Sequence, residues 1–163
     1  MDAFAIWLKG TQLSWFITHY RWIWATCEVF HFIGMSLLFG CIGVLDLRLL
    51  GVWKNPAVAA VTHLIPWGIV GFLVNVVTGT VFFVGEPLQY VDNPAFWLKM
   101  LFIFLAAWNV AIFYLSGIAG RIEALDADDD APMAAKVIAG SSLVLWIGVM
   151  FFGRMLPYLG ASF

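Results

Sequence analysis

The chain has 163 residues, 63% of them hydrophobic and only 11% charged, with a mean hydropathy of +0.95. That leaves too little polar surface for a water-soluble domain of this size and reads as an integral membrane protein. A formal net charge of -2 without a basic cluster gives nucleic acid no footing.

The first residues, MDAFAIWLKG, lack the basic n-region and small-residue cleavage site of a secretory signal. Residues 3–17, AFAIWLKGTQLSWFI, are too short and too interrupted by Lys9, Gly10 and Gln12 to span a bilayer. Their mixture of tryptophan, phenylalanine and polar residues predicts an N-terminal helix lying in the interface, followed by the polar break THYR.

Residues 22–45, WIWATCEVFHFIGMSLLFGCIGVL, form the first run long and oily enough to cross a hydrocarbon core of roughly 30 Å. Glu28 and His31 stand in its interior. Insertion scales put a central charge at about 2.5 to 3.5 kcal/mol, so a carboxylate and an imidazole one turn apart on one face call for partners or for a job. Cys27 and Cys41 on the same helix are separated by about 21 Å of rise, far beyond the roughly 7 Å that a disulfide tolerates. They read as small packing residues, with thiol ligation the lesser alternative. The following DLRLLGVWKN places Asp46, Arg48 and Lys54 near a membrane boundary, with Trp53 as an aromatic anchor.

Pro56 permits the start of a second span over 58–84, which holds His63 and Pro66 early and Asn75, Thr78 and Thr80 further along. Residues 85–93, GEPLQYVDN, have the turn chemistry of a loop. The third span, 94–116, carries Lys99 near its start and Asn109 beyond its middle. Residues 121–136, RIEALDADDDAPMAAK, are the one extended hydrophilic stretch and read as a solvated loop. Its run Asp128, Asp129, Asp130 can attract a divalent cation, but a solvated face is the expected role. The last span, 135–159, has Arg154 near its far end.

Four spans on short connections predict an all-α integral membrane four-helix antiparallel bundle, a single transmembrane domain with an N-terminal interfacial helix. Arg48, Lys54, Arg121 and Lys136 flank the first and third connections, whereas the second holds Glu86 and Asp92. The positive-inside rule then puts the first and third connections in the cytoplasm and both termini on the outer side, periplasmic in a bacterial inner membrane such as the resemblance given below implies, a bias diluted by Lys9, Arg21 and Arg154. Gly34, Gly40, Gly43, Gly68, Gly71 and Gly140 are spaced for close helix approach.

With each span centred on the midplane, Glu28, His31, Lys99 and Arg154 lie about 8, 4, 10 and 12 Å toward the outer face, sharing the outer half of the bundle. His63 lies about 12 Å toward the inner face, so the two histidines stand about 15 Å apart along the normal and do not share one iron. His31 is either a buried imidazole bonded to Glu28, Thr26 or a neighbouring helix, or an axial haem ligand whose propionates meet Lys99 and Arg154. His63 reads as a polar group near the interface, with metal binding the lesser alternative. Met35, one turn beyond His31, is a core filler, an axial ligand, or half of a copper(I) site. Trp15, Trp22, Trp24, Trp53 and Trp97 fall near boundaries, whereas Trp108 and Trp146 sit deeper, where they pack or flank a pigment or quinone.

The strings CEVFHFIGMSLLFGCIGVLDLRLLG, HLIPWGIVGF, TGTVFF, EPLQYVDNPAFWLKM and AAWNVAIF, which cover most of the chain from Trp22 to Tyr114, resemble an uncharacterised family of bacterial four-helix inner-membrane proteins. The broader pattern, a first-helix histidine and a lysine opening the third helix, resembles the copper-resistance protein D family and the haem-dependent protoporphyrinogen oxidases of membranes. In that comparison His31 and Lys99 match the functional positions, while the residues around the histidine differ and the oxidase reaction does not carry over. The resemblance implies a bundle able to hold a cofactor.

The expected function is a b-type haem protein or the membrane subunit of a redox assembly, with His31 as axial ligand, Lys99 and Arg154 at the propionates and Glu28 orienting the site or relaying a proton. Copper handling through His31 and Met35 is one alternative. A cofactor-free structural subunit packed against a larger membrane complex is the other. Neither an enzymatic reaction nor an oligomeric state follows from the residues.

Overall fold

The computed structural model describes residues 2–126 and 128–159, and among them there are helices and no strand. Gly10 and Thr11 divide the N-terminal segment into α1 (Asp2–Lys9) and α2 (Gln12–His19), two helices where the sequence predicted one. The Thr11 hydroxyl accepts from the Ser14 backbone N–H at 3.2 Å and so starts α2. After Tyr20 comes α3 (Arg21–Leu50), which ends where Gly51 turns left-handed at φ 83°, a conformation that glycine adopts without strain.

The second span is interrupted. It consists of α4 (Val58–Thr62) and α5 (Ile65–Gly85), broken at His63 and Leu64. Pro66 has no N–H to give the carbonyl four residues back and its ring crowds that carbonyl, so the helix restarts with the proline in its first turn. One turn, α6 (Pro87–Val91), then leads to α7 (Pro94–Leu115), again with proline at the start. Gly117, at φ 72°, turns the chain into α8 (Ile118–Glu123), so the first part of the expected hydrophilic loop is helical. The last helix is α9 (Met133–Leu159).

Four stretches, α3, α4 with α5, α7 and α9, are long and apolar enough to cross a membrane, and the chain is a multi-pass membrane protein. Side-chain register shows that neighbours run antiparallel. Between α3 and α5, Trp24 meets Phe82, His31 meets Thr78, and Gly34 meets Gly71. Between α7 and α9, Asn93 reaches the Leu156 carbonyl at 2.8 Å and Asn109 the Ile138 carbonyl at 3.1 Å. The centre is held by α3 against α9, where Gly43 faces Leu143 and Asp46 lies beside Ser142. Helix α5 packs along α3 and α7 along α9, but α5 and α7 do not pack along each other. The ring of four is therefore open on one side. Stacked Phe83 and Phe96, 5.7 Å apart, bridge that side near the α6 end.

Both ends are plugged. At one, α4 and α8 close over the ends of α3 and α7 and the start of α9, burying Leu45, Leu49, Val58, Ile122 and Ala135. Arg48, expected at a solvated boundary, is only 1% exposed there; its Nε donates to the Pro56 carbonyl at 2.9 Å and a guanidinium N–H to that of Asp126 at 3.3 Å. Asp46 is buried too. The acidic run is tied down by cations, Asp130 meeting Lys54 at 3.5 Å and Lys136 at 3.7 Å. At the opposite end α1, α2 and α6 pack over α5, where Lys9 donates to the Gly85 carbonyl at 2.9 Å and pairs with Glu86 at 2.7 Å.

Candidate functional site

His31 is a half-buried side chain on α3 that looks across to α5. Its Nδ1 lies 2.7 Å from Thr78 Oγ1. That hydroxyl also lies 2.7 Å from the Val74 carbonyl, one turn back on α5, and spends its single proton there. Thr78 therefore accepts from His31 Nδ1–H. By this assignment of donors and acceptors the neutral imidazole keeps a lone pair on Nε2, the arrangement in which a histidine ligates a metal. The Phe82 ring meets the imidazole edge-on at 5.5 Å and 61°. Gly79 lies beside the ring, where a Cβ would stand 3.9 Å from His31 Cε1.

Lys99 enters from α7, on the other side of the open seam, within electrostatic range of His31. It lies along Gly153 of α9, where a Cβ would be 3.6 Å from Nζ. Among the described residues Lys99 makes no hydrogen bond and no ion pair. An ammonium at membrane depth without a counter-ion among the described residues is an unsatisfied group, and its charge reaches His31. Of the residues singled out by sequence, His31 and Lys99 are the pair that the fold brings together.

The others are placed elsewhere. Glu28 is exposed and lines a cleft of about 330 Å³ at the α1/α2 end, with Arg21, Trp24 and Glu86. Arg154, also exposed, lies with its guanidinium carbon 5.8 Å over the Tyr158 ring. Met35 is half-buried on the turn after His31. His63 is exposed at the α4/α5 break; since His31 sits opposite Thr78, the two histidines stand roughly 22 Å of helical rise apart. Trp108 is exposed on the outer groove between α7 and α9, beside Asn109 and Ser141, and Trp146 meets Phe72 edge-on at 6.4 Å. No group of three or more histidine, cysteine, aspartate or glutamate side chains suited to a metal ion occurs among the described residues.

Sequence reading named Thr78 only as a polar residue of the second span, gave it no role, and did not pick out Gly79 or Tyr90. Thr78 is a polar residue in an apolar run, the one signal available, but its partner depends on the α3/α5 register. Tyr90, on α6, is pushed up to about 12 by burial, with the carboxylates of Glu28 and Glu86 adding to the rise. Comparison of the chain with protein-family models, with curated proteins and with solved structures finds no match.

Proposed function

We propose that this chain is an integral membrane b-type haem protein, or the membrane subunit of a redox assembly, in which His31 is an axial ligand through Nε2 and Lys99 meets a propionate. What carries the reading is His31, its Nδ1–H committed to Thr78, within electrostatic range of a lysine that has no ion pair among the described residues. These residues fit haem b in chemistry: a lone-pair nitrogen for the iron and a cation for a carboxylate, with Gly79 and Gly153 adding no side-chain bulk beside them. When bound, haem supplies one-electron chemistry. The chain's own part is to orient the imidazole through Thr78, wall it with Phe82, and set the local field with Lys99.

The basic residues Lys54, Arg121 and Lys136 at the α4/α8 end support an inner-membrane placement with that end in the cytoplasm and both termini periplasmic. A redox partner then meets the protein at one of its ends or along the open seam.

The test is a reduced-minus-oxidised spectrum of the detergent-purified protein with haem extraction and metal analysis. A Soret band lost in His31→Ala and kept in His63→Ala is expected. Protein without extractable haem overturns the proposal, and copper lost on Met35→Leu would assign the site to copper instead.

A further inference from the structure

The cleft at the α1/α2 end adjoins the His31 site through Phe82, which packs on both Trp24 and His31, but none of its lining residues is His31, Thr78 or Lys99. Its volume is about 330 Å³, and Arg21, Glu28, Glu86, Trp24 and Ile17 are among its walls. Glu86 is already neutralised by Lys9 at 2.7 Å. Arg21 and Glu28 are not: both are exposed, and neither has an ion pair or side-chain hydrogen bond among the described residues. They stand seven residues apart on α3, which puts them on one face about 10.5 Å apart along the axis. One unpaired cation and one unpaired anion thus mark the two ends of a single cleft.

The wall between them is built rather than incidental. Trp24 is pinned by Phe82, with ring centroids 4.9 Å apart, and Ile17 and Trp24 close over Gly85 so tightly that a Cβ there would come within 3.0 Å of each. An aromatic face beside a carboxylate suits an ammonium group. A guanidinium suits a phosphate or carboxylate. We propose that this cleft binds a small water-borne zwitterion, its ammonium on Glu28 against Trp24 and its phosphate or carboxylate on Arg21.

The order of the charges distinguishes a solute from a lipid. Arg21 opens the helix and Glu28 lies two turns deeper. A zwitterionic phospholipid approaches with its phosphate on the acyl side and its amine outward, the reverse arrangement. A solute entering from water with its ammonium leading matches.

The probe is phosphoethanolamine, titrated calorimetrically into the full-length protein in phosphatidylcholine nanodiscs. Saturable binding is expected, weakened by about tenfold or more in Arg21→Gln and in Glu28→Gln and partly restored in Glu28→Asp, with ethanolamine or inorganic phosphate alone at least about tenfold weaker. Because both side chains are exposed, far-ultraviolet circular dichroism of the variants should be unchanged. Absence of saturable binding, binding indifferent to both substitutions, or binding seen only with phosphatidylethanolamine in the disc overturns the proposal.

Discussion

Thr78 accepts a hydrogen bond from His31 Nδ1 at 2.7 Å while giving its own proton to Val74, so one hydroxyl on α5 decides which nitrogen of an α3 imidazole is free. Replacing it by the isosteric Thr78→Val removes the acceptor and keeps the shape. The expected cost is about 1 kcal/mol in unfolding of the purified protein, with Thr78→Ser close to wild type. In haem-loaded protein the same valine variant should weaken retention by roughly tenfold, read as haem loss to apomyoglobin.

Lys99 gives a prediction with two signs. Without a ligand, Lys99→Met removes an uncompensated ammonium from membrane depth and should stabilise the protein by about 1 kcal/mol, the full insertion cost being reduced by snorkelling. With haem, the same variant should bind about tenfold more weakly through the lost carboxylate partner. Unfolding of both forms in mixed micelles measures the two effects.

Gly34 and Gly71 set the spacing of α3 and α5. A Cβ at Gly71 would stand 2.6 Å from the Gly34 carbonyl oxygen and 2.7 Å from the Leu38 nitrogen, both backbone atoms that cannot swing aside. Gly71→Ala should therefore destabilise by about 1–3 kcal/mol as the helices are pushed apart. Gly40, with nothing within 4 Å, is the control on the same helix as Gly34, and Gly40→Ala should be neutral or slightly stabilising.

Tyr90 predicts behaviour in alkali. Its folded value is pushed up to about 12 by burial and by Glu28 and Glu86, against an unfolded value near 10. The folded state thus holds the phenolic proton more tightly. Its contribution to stability is complete below about pH 10 and is lost as pH rises toward 12. Tyr90→Phe should flatten this part of the stability profile, followed by circular dichroism, and should delete a phenol that titrates toward pH 12 from the absorbance at 295 nm.

The four spans were legible because composition over some twenty residues decides membrane insertion almost unaided, whereas counting along the helices put His31 and His63 about 15 Å apart and the His31–Thr78 register makes it roughly 22 Å of rise. What sequence could not supply was register. Whether His31 faced Glu28, Thr26 or another helix depended on the closeness of Gly34 to Gly71, a packing result. Arg48 read as a boundary cation because its surroundings along the chain are polar, yet the chain folds back through Pro56 and Asp126 to enclose it. The helix α8 escaped notice because it is short and lies beside an acidic stretch, its helicity coming from Ile118 and Ile122 burying into the end cluster.

The unzipped side between α5 and α7 also bears on how the molecule is made. With contacts running from α5 to α3, α3 to α9 and α9 to α7, the chain consists of two helical hairpins, each formed from consecutive spans, that dock mainly along α3 and α9. The first hairpin can be complete in the bilayer before the second leaves the ribosome, and no early segment has to wait for a late one to satisfy its main packing surface.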